Sequence, residues 1–412
     1  MKPISPSLDS PALAINGGTP VFDGAWSAGP SHFPDEIEAL TEVLAGPALP
    51  MARSTWVMEL RRELCELYSA PECVTVSSGT TAIHVALEAV GVGVGDEVIL
   101  SPMTDYGSIS GIIQLQAVPV FCDVERGSFN MDPASVEACV TERTRAILAI
   151  HIGGYLVDMP GVTAVARRHG LAIVEDVAQA HMAAIGDTYA GCFGDIGAFS
   201  VNDSKHMRAG EGGFCLTADA ALSRRMDLFA DKSYKRFPEA PDTPAAPALN
   251  ARMSALTAAV ARCQLRRLPA WIESRRAAGA AFDAVVADFP LLPVPQVDGA
   301  RPSYWWYSFF VDPERCDLPG RRLAELLQSE GIHAAPSRQQ VLPRWQIFRT
   351  LDENPDAFAT YRPGTLTPGR YALDQWPNAD WAFDNLLGLV LNQYTGAKEV
   401  AAFRAALEKI FG

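Results

Sequence analysis

The sequence predicts an α/β fold: a large domain with a mostly parallel sheet covered by helices, followed by a smaller C-terminal α+β domain. Three observations carry this. Short apolar, β-branched runs alternate with stretches of helical apolar spacing through the first two thirds of the chain, the pattern of a parallel sheet with crossover helices. The chain has 412 residues, too many for one ordinary core. Its apolar content of 48% supplies a buried core and excludes wholesale disorder.

In chain order, an arm containing Leu13-Ala-Ile-Asn-Gly-Gly-Thr-Pro leads into a proline-rich turn region ending near Pro50. Trp56 to Tyr68 has helical spacing with its charges on the other face. Strands are expected at Val74 to Val76, Glu97 to Leu100, Val118 to Cys122, Ala146 to Ile150, Leu171 to Val174, Ile196 to Ser200 and Gly213 to Thr217. A Pro/Ala run, Pro238 to Pro247, reads as a loop. Helical spacing resumes from Met253 to Leu268, and Pro269 marks the junction between a domain of residues 1–269 and one of residues 270–412. Beyond it come a long helix around Trp271 to Ala287, a strand at Tyr304 to Val311, and helices at Arg321 to Ser329 and Lys398 to Ile410. No internal repeat is present.

Three segments carry chemistry. Ser200-Val-Asn-Asp-Ser-Lys205-His-Met-Arg-Ala-Gly-Glu-Gly-Gly213 sets one lysine among small, hydroxyl and glycine residues just after a strand. A lysine in such a crowded, partly desolvated place can act as a carbonyl-trapping amine; most lysines on glycine-rich loops are simply surface residues. Leu171-Ala-Ile-Val-Glu-Asp176 delivers an acid to the carboxyl end of a strand, the edge at which open α/β sheets bind ligands. Cys73-Val-Thr-Val-Ser-Ser78-Gly79-Thr80-Thr81 is a strand running through small residues into a helix. Free N–H groups and the helix dipole make that junction an anion site, although Ser78 is equally suited to capping the helix.

A phosphate cradle, an aspartate and a lysine, in that chain order, are the three handles of pyridoxal 5′-phosphate (PLP), whose ring nitrogen needs a carboxylate and whose aldehyde needs a Schiff-base amine. On these residues the sequence resembles the DegT/DnrJ/StrS family of fold-type I PLP enzymes, the aminotransferases of keto sugars and keto cyclitols. The resemblance covers residues 12–275 most clearly. It implies that Lys205 forms the Schiff base and shuttles the proton, and that Asp176 holds the ring nitrogen. Gln179 would contact the ring face or its phenolic oxygen. Ser78, Gly79, Thr80 and Ser200 would surround the phosphate, and Tyr106 would stack on the ring. Asn250 would reach the phosphate of a partner subunit, which implies a homodimer with shared sites. The implied activity is transfer of an amino group from an amino acid, L-glutamine or L-glutamate, to a keto sugar or keto cyclitol in secondary metabolism. Lysine stands at 205, where dehydratases of the family carry histidine, and this favours transamination. The stretch Trp345 to Trp381 departs from the family pattern.

Other classes are disfavoured. A net charge of −14 without a long basic run argues against nucleic acid as a partner. No stretch is long and apolar enough for a membrane span, and Met1 to Ser7 lacks the apolar core of a signal peptide. The eight cysteines are scattered without CxxC pairs, which reads as reduced thiols in a cytoplasmic protein, and no His/Cys/Asp cluster has metal-ligand spacing. Gly91-Val-Gly-Val-Gly95 mimics a dinucleotide fingerprint, but a helix precedes it and a strand follows, the reverse of what that motif requires. His151 ends a strand near the implied cofactor site and reads equally well as a structural residue, and His84 reads as core. A PLP-dependent lyase, dehydratase or desulfurase, or a non-catalytic PLP-bound sensor, would share the scaffold.

Overall fold

The computed structural model describes residues 8–46, 54–234, 242–336, 341–358, 360–361 and 364–412. Part of the expected loop at Pro238 to Pro247, and the terminal residues Met1 to Ser7, lie outside the described residues. The first nine strands are β1 (Glu72–Val76), β2 (Glu97–Leu100), β3 (Val118–Phe121), β4 (Thr144–Ile150), β5 (Ala172–Asp176), β6 (Ala184–Ile185), β7 (Thr188–Tyr189), β8 (Ile196–Ser200) and β9 (Gly213–Thr217). Seven of them form the central sheet in the order β1-β9-β8-β5-β4-β2-β3, and only β9 runs against the rest. Val98, Ile99, Leu100, Ile147 and Leu148 are fully buried, as near-continuous apolar runs in a sheet covered on both faces should be. The alternation of periods in the sequence therefore specifies this sheet. The small hairpin of β6 and β7, two residues per strand, is too short to leave such a signal.

The C-terminal part builds its own antiparallel sheet from β10 (Leu291–Pro293), β12 (Tyr307–Val311), β13 (Ala334–Pro336) and β14 (Leu386–Leu389), in the order β10-β12-β14-β13. The remaining strand, β11 (Ala300–Arg301), pairs instead with β6 of the first part. The expected strand at Tyr304 begins only at Tyr307, because the preceding aromatic residues form a loop. The two helices expected on either side of Pro269 are one, Ala255–Val286, with the proline inside it. Losing a backbone hydrogen bond there costs about 3 kcal/mol. Burial of Leu265, Leu268 and Ile272 on both sides of the proline outweighs that cost.

Two other segments cross between the parts. The arm packs onto the C-terminal part around the buried Glu330, whose carboxylate accepts from Ala14 N at 2.8 Å, Val21 N at 3.2 Å and Lys409 Nζ at 2.7 Å. The stretch after Trp345 folds back over β3, the edge strand of the large sheet. There Tyr361 Oη donates to Ala117 O at 3.2 Å, Tyr371 Oη to Pro119 O at 3.2 Å and Trp376 Nε1 to Phe121 O at 2.9 Å. Alternate carbonyls of a strand point the same way, so three aromatic donors cap the free edge in step with its period.

Candidate active site

The carboxyl ends of the parallel strands open into a cavity of about 560 Å³. Ser78, Gly79, Thr80, Asp176, Gln179, Ser200 and Lys205 all line it. Successive side chains of a strand point to opposite faces, and β5 shows this with two acids. Glu175 turns away into full burial, accepting from Gly191 N at 2.8 Å, Phe193 N at 2.8 Å and Gly194 N at 2.7 Å, and pairing with His151 Nε2 at 3.0 Å. Asp176 turns to the cavity, held by Ser108 Oγ at 2.7 Å and Ala178 N at 3.0 Å. Burial pushes the Asp176 carboxyl above the ordinary range, while its hydrogen bonds and the Lys205 charge oppose this. His151 is thus a structural partner of Glu175 and is absent from the cavity lining.

At the end of β1, Ser78 caps the helix Gly79–Ala89, its Oγ accepting from Thr81 N at 3.1 Å. The next two N–H groups, of Gly79 and Thr80, belong to the first helical turn and have no acceptor among the described residues. A Cβ at Gly79 would lie 2.5 Å from Ser200 Cβ, so only glycine lets β8 pass this closely. Gly91 follows the helix with φ +89°, ending it in the left-handed conformation. His84 is buried on the same helix, edge-on to Phe229.

Lys205 follows β8, and its Nζ stands 4.4 Å from the centroid of the Trp305 ring. Burial lowers its proton affinity, and Asp176 and Asp105 work against that. Gln179 Oε1 accepts from Gly153 N at 2.7 Å, which leaves its amide nitrogen to donate. Tyr106 is not among the lining residues, although its neighbours Asp105 and Gly107 are. Its ring lies instead against Trp345 at 6.2 Å and an interplanar angle of 14°. Asn250 is exposed and away from the cavity, its Oδ1 accepting from Arg252 Nε at 3.0 Å.

The opposite wall carries Phe129, Trp305, Trp306, Ser308, Trp345 and Leu386. The sequence names Trp305, Trp306 and Ser308 only as part of an expected strand and Trp345 only as the start of an atypical stretch, and it assigns none of the six to the site. The adjacent pair Trp305-Trp306 was the available signal, since on a strand neighbouring side chains point to opposite faces and two large indoles in succession are unusual for one buried face. Ser108 had none, being one hydroxyl among many. Lining charges among the described residues are Asp105, Asp176, Glu211 and Lys205. None of the eight cysteines lines the cavity, and all are free thiols.

The profile of the DegT/DnrJ/EryC1/StrS aminotransferase family matches residues 31–361. The chain belongs to this family. Among curated relatives of this aminotransferase, the L-glutamine:2-deoxy-scyllo-inosose aminotransferase of Streptomyces kanamyceticus is 34% identical over 80% of the chain and 81% of that protein. The enzyme of the same description from Streptomyces lividus is 35% identical over 94% of each chain. An aminotransferase from Psychrobacter cryohalolentis superposes with a TM-score of 0.81 at 25% identity, covering 94% of this chain and 99% of that one. Among the described residues no helix is long and apolar enough to cross a membrane.

Proposed function

We propose that this aminotransferase moves the amino group of L-glutamine or L-glutamate to a keto cyclitol of the 2-deoxy-scyllo-inosose type, with PLP as its cofactor. The observation that carries the reading is the meeting of three unlike groups in one cavity: a lysine amine, a buried carboxylate, and a helix N-terminus with two N–H groups lacking acceptors. The residues fit the cofactor. Gly79 and Thr80 offer N–H groups to a phosphate, with Ser78 and Ser200 beside them, and the missing Cβ at Gly79 lets Ser200 stand close to that helix end. Asp176 would hold the ring nitrogen, where a cation would offset the cost of burying the carboxylate. Gln179 would offer its free amide nitrogen to the ring or its phenolic oxygen. Bound there, PLP would supply an electron sink for chemistry at the donor's α-carbon.

The chain's own part is orientation and proton handling. Ser108 and Ala178 N fix the Asp176 oxygens, so the acid cannot turn away. Desolvation gives Lys205 access to its free-amine form, in which it can attack a carbonyl and later carry a proton. The relatives' printed substrates are the support for a cyclitol acceptor and a glutamine donor. Tyr106 would act on the cofactor ring only by way of Trp345, against which it stacks. We further take the enzyme to be a cytoplasmic homodimer, in which the exposed Asn250 completes the partner's phosphate site, and place the boundary between its domains near Pro269.

Borohydride treatment of the PLP-loaded protein followed by peptide mapping tests the core of this reading, with the label expected on Lys205. L-glutamine should bleach the cofactor's absorbance and 2-deoxy-scyllo-inosose should restore it. Label on another lysine, or a cofactor that no common amino donor bleaches, would overturn it. For the dimer, mixing Lys205→Ala with an Asn250→Ala protein should regenerate activity; none returns if each subunit is self-sufficient.

A further inference from the structure

Lys205 is half-buried, and no carboxylate stands within ion-pair distance of its amine among the described residues. No ion pair or hydrogen bond reaches its Nζ among the described residues, and it stands over the face of Trp305, 4.4 Å from the ring centroid. That indole is fixed from several directions. Its Nε1 donates to Ser204 O at 2.7 Å, tying the ring to the residue before the lysine. Its backbone N donates to Gly153 O at 2.7 Å, and Gly153 N donates to Gln179 Oε1 at 2.7 Å, so one glycine links the indole to a residue of the proposed cofactor wall. The preceding carbonyl, Tyr304 O, accepts from the buried Arg275 Nη1 at 2.9 Å.

The local backbone is shaped for this arrangement. Tyr304 sits at φ +48°, a left-handed conformation that is strained for a bulky residue. A Cβ at Gly154 would lie 2.6 Å from Tyr304 N, so the turn after β4 can receive this loop only with glycine there. Sequence and strain both serve to hold Trp305 where it is.

We propose that Trp305 is a positioning residue whose ring face seats the Lys205 ammonium between proton transfers. The inference rests on the reading of Lys205 as the reacting amine. A ring face suits that task better than a carboxylate. It favours the ammonium weakly, enough to place it and too little to lock the proton on, whereas a buried ion pair is far harder to break. The other charged or titratable groups around the amine are Asp176 at the end of β5, Asp105 before the helix Tyr106–Gln114, and Glu211 on the lysine's own loop. His181 and His206 also pack nearby, and burial keeps both neutral.

The test needs no bound cofactor. The chain has only six lysines, so ¹³C-methylation of cofactor-free protein gives a readable titration, with the Lys205 signal assigned by its loss in Lys205→Ala. Trp305→Leu should lower the Lys205 titration midpoint by about one pH unit, and Trp305→Phe by roughly half of that, since benzene is the weaker cation acceptor. An unchanged midpoint in Trp305→Leu, or equal falls in both variants, overturns the proposal. Should Trp305→Leu not fold, Trp305→Phe decides alone. Its greater share of free amine should speed PLP loading about threefold at pH 7, and an unchanged rate with an unchanged midpoint counts against the seat. Borohydride label on a different lysine would remove the reading of Lys205 while leaving the titration result standing.

Discussion

The two walls of the cavity are built on opposite principles. The sheet-side wall is made of small and polar residues from three contiguous motifs, each placed by the end of a strand: Ser78 to Thr80 after β1, Asp176 on β5, and Ser200 with Lys205 after β8. The facing wall is made of aromatic and aliphatic side chains, Phe129, Trp305, Trp306, Trp345 and Leu386, drawn from segments scattered over more than half the chain. A wall that must offer N–H groups and charges at fixed points needs rigid strand ends and glycines. One that presents flat apolar surface can be assembled from any loop that reaches it. Under the proposed function the polar wall would serve the chemistry shared by the family, and the aromatic wall, Trp305 apart, would set selectivity among acceptors.

Breaking the polar wall should cost most. Lys205→Ala should reduce turnover by at least ~10³-fold in both half-reactions while leaving far-UV circular dichroism unchanged, because amine and proton carrier go together. Asp176→Asn keeps the volume and the Ser108 contact but removes the charge, and stopped-flow with L-glutamine should show a fall of roughly 10²-fold or more in the rate of cofactor bleaching. Near-normal rates would place the ring's partner elsewhere.

Changes on the aromatic side should be smaller and one-sided. Trp345→Ala should raise the acceptor KM about tenfold, a typical scale for losing apolar contact in a pocket, and should lower acceptor kcat/KM more than the donor half-reaction rate. Equal losses in both half-reactions would mean that Trp345 shapes the cofactor wall, and the contrast between the walls would fail there. The smallest effect belongs outside both. Tyr371→Phe removes the donor to Pro119 O, and thermal denaturation should show a loss of about 1 kcal/mol with kinetic constants intact.

This contrast also explains what could be read from the sequence. Strand ends and small-residue turns are local, so β2, β8 and β9 are legible to the residue, and the seven lining residues assigned to the cofactor converge in one cavity. Aromatic walls are assembled by tertiary contact, and a lone Trp345 gives no sign of facing a cavity rather than a core. Pro269 misled for a related reason: a proline is a local signal, and the packing of Leu265, Leu268 and Ile272 that overrides it is not. Tyr106 shows the same limit on a smaller scale. Its place after β2 is legible, but the ring's direction toward Trp345 depends on a segment more than two hundred residues away.

The aromatic clamp on β3 bears on how this protein can be cut or recombined. The family profile ends at residue 361, which would look like a natural place to truncate or to graft a new C-terminus. A chain ending there loses β14 from the middle of the C-terminal sheet and the helix Ala397–Phe411, and also Tyr371 and Trp376, two of the three donors that occupy the outer carbonyls of a parallel edge strand. Bare edges of that kind recruit strands from other molecules. The segment after Trp345 thus doubles as an insulator against self-assembly, and shortened versions should be recovered from cells as oligomers or inclusion bodies rather than as weakened enzymes.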